Sequence, residues 1–270
     1  MKRRLLKAVL ASAMLWAASC GPSGDAVKTT PETKETVYAR GHQLYLTMHG
    51  EEAERELGRA AAMDSAYGDP LVDLGSLWYD RGMKNEGERR SADLRKARAF
   101  LARAEELGCR DALVYDRLCE TCTGIEDAGG FLKYSKKNAE RYPFDRQNYN
   151  LCVAYFGVED WAGVVKTGRA ASEKFKDSQY IGAFYRQVGR AYMKMDRDQT
   201  AERTLEAGVQ AVDARMGSLK KNAGGQEELR RLQDDKIGML LLLKRLYTTY
   251  REPEKLAAAE RQLREAGYTK

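Results

Sequence analysis

Residues 185–208, YRQVGRAYMKMDRDQTAERTLEAG, set a small residue, Gly189, three places before a ring, Tyr192, and then Ala201, Leu205 and Gly208 at offsets of 12, 16 and 19 from that glycine. The same offsets occur near the start of the chain, where Val37, Arg40, Gly41 and Leu44 are followed by Ala53, Leu57 and Ala60. Apolar residues three or four apart mark one face of a helix. Small residues at Gly41, Ala53 and Ala60 let two antiparallel helices approach closely, and Leu44 and Leu57 fill the space between hairpins.

Between these two copies the pattern recurs. Leu71, Leu74, Gly75 and Trp78 open a second unit, which closes on Ala97, Leu101 and Ala104, each ten residues late, so residues 82–96 hold an insertion. Tyr115, Leu118, Cys119 and Cys122 open a third, ending near Pro143, and Leu151, Cys152 and Tyr155 lead a fourth to Val164, Gly168 and Ala171. The anchors 41, 75, 119, 152 and 189 are spaced by 34, 44, 33 and 37 residues, and allowing for the insertion the period is near 34. One hairpin cannot bury its apolar face alone, so the copies must stack.

This spacing and residue pattern resemble the tetratricopeptide repeat. The resemblance covers residues 34–213 and implies an all-α, right-handed superhelical solenoid of about five antiparallel helix hairpins. The third copy departs most from the pattern: Phe131, Ser135 and Asn138 stand where the family has small, bulky, small. Its second helix is therefore expected to be shifted or shortened, and Gly129 and Gly130 at its start make it a candidate joint. After Asp213 the match fades; residues 214–270 read as a divergent helix pair that caps the stack, with a dimer contact as the alternative.

The first residues, MKRRLLK, precede an apolar run from Ala8 to Ala18 and then Ser19 and Cys20. A basic start, a short apolar run and small residues before a cleavage point make a secretory signal over residues 1–19. The run is about half the roughly 20 residues a membrane-spanning helix needs. Ala17, Ala18, Ser19 and Cys20 resemble the lipobox of bacterial lipoproteins, which implies lipid attachment, palmitate included, at Cys20. The alternative is an ordinary signal peptide with an unmodified cysteine. Gly21, rather than Asp, implies outer-membrane sorting facing the periplasm by the enterobacterial rule. Residues 20–33 are rich in Gly, Pro, Ser, Thr and charge, and read as a tether.

The formal charge of +6 includes Lys2, Arg3, Arg4 and Lys7; without them it is +2. A mature chain so close to neutral lacks the basic stripe of a nucleic-acid binder. Cys119 and Cys122 form a C-x-x-C, yet both occupy packing positions of the third copy, and a metal site would need clustered ligands that Cys109, Cys152, His42 and His49 do not supply. Neither a catalytic constellation nor a phosphate-cradling loop can be read. The expectation is a protein that is not an enzyme, with no cofactor and no metal.

By the resemblance, the first helix of each hairpin lines a concave groove. Its inward places are Tyr38, His42 and Tyr45, then Val72, Ser76 and Tyr79, then Asp116, Glu120 and Thr123. The fourth and fifth copies add Arg146, Tyr149, Val153 and Phe156, then Arg186, Arg190 and Met193. The groove is aromatic at intervals and basic at one end. It is expected to bind a protein or peptide segment, with an acidic or C-terminal carboxylate end near Arg186 and Arg190. The role implied is a membrane-anchored interaction scaffold of the bacterial envelope, accessory to a pilus, secretion or outer-membrane assembly machine. The alternative is an oligomeric accessory lipoprotein of periplasmic solute transport.

Overall fold

The seam between paired helices sets the geometry. The computed structural model describes residues 31–221 and 225–268, and among these there are twelve helices and no strand. They pair in order as α1 (Lys34–Leu46) with α2 (Gly50–Met63), α3 (Asp69–Lys84) with α4 (Gly87–Glu106), and α5 (Ala112–Gly124) with α6 (Ala128–Arg141). Then come α7 (Asp145–Gly157) with α8 (Trp161–Lys174), α9 (Ile181–Lys194) with α10 (Asp198–Lys221), and α11 (Gln226–Thr249) with α12 (Pro253–Glu265). The architecture is a helical solenoid, as the repeat predicts. The compact unit begins at Lys34; the signal peptide, Cys20 and most of the tether, residues 1–30, lie outside the described residues.

Each anchor meets a partner on its hairpin's second helix. A Cβ placed on Gly41 would lie 2.9 Å from Leu57 Cγ and from the Leu57 backbone nitrogen, and one on Gly189 would lie 2.5 Å from Leu205 Cδ2. One on Gly75 would lie 2.5 Å from Leu101. Leu57, Leu101 and Leu205 are fully buried. Burying a leucine completely contributes about 1.5–3 kcal/mol, and the missing Cβ opposite lets each do so. Leu57 also reaches the next hairpin, where it joins Leu74 and Leu77 in one cluster.

Five of the six hairpin turns share one conformation, the lengthened second hairpin being the exception. Seven residues past the anchor the chain turns left-handed, at Met48, Glu126, Glu159, Asp196 and Arg251, with φ between 55° and 62°. The next backbone N–H then bonds back into the first helix, from His49 to the Leu44 carbonyl, Asp127 to Cys122, Asp160 to Tyr155, Arg197 to Tyr192 and Glu252 to Tyr247, at 2.8–3.0 Å. These bonds cap carbonyls that a helix end leaves open. The set includes the last hairpin, whose anchor by this count is Lys244. Sixteen residues on, where the first and fifth copies have Leu57 and Leu205, stands Glu260, and Lys244 Nζ lies 3.0 Å from its carboxylate. The C-terminal pair is thus a sixth hairpin in register, its small-against-large contact replaced by an ion pair.

The insertion does not form a loop. It lengthens both helices of the second hairpin, to 16 and 20 residues, where α1, α2 and α5 to α9 have 13 or 14. A second lengthening gives α10 and α11 24 residues each, so that α10 continues through position 213 to Lys221.

The third hairpin corrects an expectation. Its second helix, α6, is neither shifted nor shortened: it has 14 residues, as α2 and α8 do, and is capped by the Asp127 side chain, which accepts from the Gly130 N–H at 2.8 Å. The polar residues at its seam each make a hydrogen bond, although Asn138 Oδ1 has no partner among the described residues. Cys119 Sγ lies 3.6 Å from Ser135 Oγ, and Asn138 donates to Asp116 Oδ1 at 2.9 Å. Both Ser135 and Asn138 are buried, and a buried polar group costs little only when it is paired. What does change here is the spacing of first helices. α1 packs on α3, α3 on α5, α7 on α9 and α9 on α11, but the backbones of α5 and α7 stay apart.

Candidate interaction groove

The gap between α5 and α7 opens onto a hollow of about 520 Å3 on the inner face. Its walls include six of the residues expected to face the groove: Tyr79, Asp116, Glu120, Thr123, Arg146 and Tyr149. To these the fold adds Met83 and Arg90 from the second hairpin, Cys119 and Phe131 from the third, Tyr180 at the head of α9, and Arg231 from α11. Tyr149 and Tyr180 stack with centroids 5.0 Å apart and planes 18° from parallel, and the Arg231 guanidinium lies over Tyr180 at 5.3 Å. Arg146 pairs with Asp116 across the gap, tying α7 to α5. The hollow is thus lined by aromatic rings and guanidinium groups, residue types that are enriched at protein interfaces.

The other expected groove residues divide into those tied up within the fold and those lining a separate hollow. In the first two hairpins they bridge neighbouring first helices. His42 Nδ1 lies 2.7 Å from Asp73 Oδ2, and the Tyr45 hydroxyl donates to Asp80 at 2.9 Å. Burial pushes the Asp73 carboxyl up, with His42 opposing, and pushes the Tyr45 hydroxyl up to about 12, assisted by Asp80. Tyr38 packs edge-on against Tyr67, and burial raises its pKa too. Arg117, which sequence reasoning passed over, sits 3.9 Å over the Tyr79 ring and 3.4 Å from Asp80. Ser76 is buried, and its hydroxyl has no partner among the described residues.

At the other end Phe156, Arg190 and Met193 line a hollow of their own. Arg186 already has a carboxylate partner within the fold. Its guanidinium is 3.1 Å from Asp235 on α11, and a Cβ on Gly238 would strike it at 2.9 Å. The carboxylate that the sequence led one to expect from a partner at Arg186 is therefore supplied by the chain itself. Asp235 is buried, and desolvation, only partly offset by Arg186, lifts it to about 6. No sequence signal announced this contact, because it depends on the register of the sixth hairpin, whose anchor is a lysine.

The cysteines sit where packing places them. Cys119, Cys122 and Cys152 are buried free thiols, pushed by burial to about 12, 11 and 12. Thiols so protonated at neutral pH are poor nucleophiles and poor metal ligands. Among the described residues no group of three or more His, Cys, Asp or Glu is placed to hold a metal ion, and no helix is long and apolar enough to cross a membrane.

No protein-family model and no curated protein matches the chain. Solved structures do. YrrB, described as a TPR protein with an unusual peptide-binding site, is 13% identical and aligns over 70% of this chain and 91% of its own, with a TM-score of 0.53. A crystal structure of MamA is 14% identical over 68% of this chain and 94% of its own, at a TM-score of 0.52. MamA from AMB-1 is 16% identical over 73% of this chain and 96% of its own, at 0.50. At these identities the likeness is one of fold: the chain has the helical-hairpin solenoid fold of tetratricopeptide-repeat structures.

Proposed function

We propose that this protein is an interaction scaffold of the bacterial cell envelope, anchored by lipid at Cys20, that holds a segment of a partner protein in its concave groove. The observation that carries the reading is the hollow between α5 and α7, lined by Tyr79, Tyr149 and Tyr180 together with Arg90, Arg146 and Arg231, Tyr149 being the least buried of the three rings. Tyrosine and arginine supply large contact areas and strong hydrogen bonds at interfaces, which is why they carry a disproportionate share of binding energy. A peptide-binding site is described for YrrB, and the same use of the fold is inferred here. An anchor at one end of a tether followed by a stack of hairpins suits an accessory or assembly factor of a larger envelope machine, such as one for pili, secretion or outer-membrane proteins.

The experiment places a photo-crosslinking residue at Tyr149 in the full chain within its native cells, with Lys166, exposed on α8, as the control position. One defined partner captured at position 149 and not at 166 is the expected outcome. Equal capture at both positions, or at neither, refutes the groove reading. In the same cells Cys20→Ser is expected to abolish incorporation of a palmitate analogue and release the chain from the membrane fraction. Unchanged labelling removes the anchor from the proposal.

A further inference from the structure

Where the fourth, fifth and sixth hairpins meet, the inner face carries a second hollow, of about 370 Å3. Four apolar residues line it, Phe156 on α7, Met193 on α9, and Leu242 and Leu246 on α11. Three cations line it, Arg190, Lys194 and Arg245. None of the three is within ion-pair distance of a carboxylate among the described residues, in contrast to Arg186 one turn away, which Asp235 neutralises at 3.1 Å. Asp196 and Asp198 also line it and offset part of this charge, three cations against two carboxylates leaving the lining positive; Asp198 accepts the Tyr250 hydroxyl at 2.5 Å, and Asp196 belongs to the exposed left-handed turn.

Arg190 is the informative member. Its guanidinium carbon lies over the Phe156 ring, 4.1 Å from the centroid, and its side-chain hydrogen bond is a long one, 3.3 Å, to the neutral Gln187 Oε1. Burial, with the nearby Arg186 charge adding to it, lowers its pKa. Such a group is held at a cost. A guanidinium has five N–H donors, of which this one bond uses one, and a carboxylate is the acceptor whose geometry and charge match the remainder best. Lys194 and Arg245 are exposed on the same wall and add positive potential without a role in packing.

We propose that this hollow binds an acidic side chain of the partner segment, held by Arg190 and Arg245, with an adjoining apolar side chain seated on Phe156 and Leu242. The proposal rests on the groove reading and specifies the partner's chemistry: an acidic peptide with apolar residues beside its carboxylates. It also moves the acid-binding position away from Arg186, which is occupied from within, to the seam between the fifth and sixth hairpins.

The test uses the full chain and fluorescence anisotropy, with a short labelled peptide alternating Glu and Leu and a matched peptide alternating Gln and Leu. The Glu peptide is expected to bind about tenfold or more tightly than the Gln peptide, and Arg245→Glu, a change at an exposed site, to erase that difference. Arg190→Gln is expected to do the same; circular dichroism checks that each variant stays folded. Equal binding of the two peptides, or an acid preference that survives Arg245→Glu, overturns the proposal. So does displacement of the probe by a single-stranded oligonucleotide as readily as by unlabelled acidic peptide, since that would mark a general polyanion surface. If acid preference is absent while crosslinking at Tyr149 still captures one partner, this inference fails and the groove reading stands. If acid preference persists while that crosslinking fails, the reverse holds.

Discussion

The fifth and sixth hairpins turn through the same left-handed residue, at Asp196 and Arg251, and close with the same backbone bond, yet their seams are chemically opposite. In α9 and α10 the seam is Gly189 against a fully buried Leu205. In α11 and α12 it is Lys244 against Glu260, with side chains 39% and 38% exposed. The flanking places invert too, since Leu256 and Leu263 stand where the fifth hairpin has Ala201 and Gly208. Hairpin register is therefore set by the turn and by the leucine rows facing the neighbouring hairpin, not by the small-residue seam. The seam sets how closely the two helices approach and how much the contact stabilises them.

The largest expected effect lies on the apolar side of this contrast. Leu205→Ala removes a fully buried side chain that Gly189 has made room for, and substitutions of this kind cost about 2–5 kcal/mol. Leu205 shares one cluster with Met239, Leu240 and Leu243 of α11, so the loss is expected to spread, because each repeat is stabilised through its neighbour. Hydrogen exchange is the suitable measurement: protection should fall in α9 and α10 and fall further in α11 and α12, leaving α1 and α2 unchanged. A change confined to α10, or a cost below about 1 kcal/mol, would mean that the Gly–Leu seam is not what joins the last hairpins.

The same contrast explains how much could be read in advance. Where an anchor is Gly or Cys, as at Gly41, Cys119, Cys152 and Gly189, its smallness is a local property and the period discloses it. At Lys244 the signature is absent, because an ion pair satisfies the seam with two large residues, and only the turn geometry reveals the sixth repeat. That single omission propagates. Without the register of α11 nothing foretells that Asp235 takes up Arg186, that Arg231 closes the hollow beside Tyr180, or that Arg245 faces Arg190's side of the groove. The lengthened second hairpin was half legible: residues 82–96 could be located as an insertion, but whether extra residues loop out or continue a helix depends on tertiary support. In the third copy Ser135 and Asn138 looked like weak points, and their hydrogen bonds to Cys119 and Asp116 are cross-helix contacts that no spacing displays.

A middle-sized effect comes from the buried carboxylate that ties the sixth hairpin to the fifth. Desolvation holds Asp235 at about 6, with Arg186 opposing and Asp234 adding to the rise. The folded-state pKa is thus above the ordinary value of 3.8. A group raised in this way makes the native state the better proton binder, so its contribution to stability is fully present below the unfolded value and is lost as pH rises through about 6. Between pH 7 and pH 5 this linkage amounts to about 1 kcal/mol in favour of the more acidic condition. Unfolding of the C-terminal hairpins, followed by urea titration at both values, should show it, and Asp235→Asn should flatten the slope. A slope that persists in Asp235→Asn would assign the proton to another group.

The smallest effect falls on the seam that distinguishes the sixth hairpin. Lys244 and Glu260 are 3.0 Å apart but more than a third exposed, so water and salt screen them, and pairs of this kind contribute under about 1 kcal/mol. A double-mutant cycle of Lys244→Ala and Glu260→Ala isolates their coupling from whatever else each side chain touches. The expected coupling is about 0.5 kcal/mol in dilute buffer and less at high salt, where the screening length shortens to a few ångströms. Such a value would mean that α11 and α12 stay together through Leu240, Leu243, Leu246, Ala259 and Leu263, and that the ion pair only occupies the space a small residue closes elsewhere. A coupling of about 2 kcal/mol or more, insensitive to salt, would break the comparison. The sixth seam would then be as strong a fastening as Gly189 and Leu205, made by charge in place of close approach.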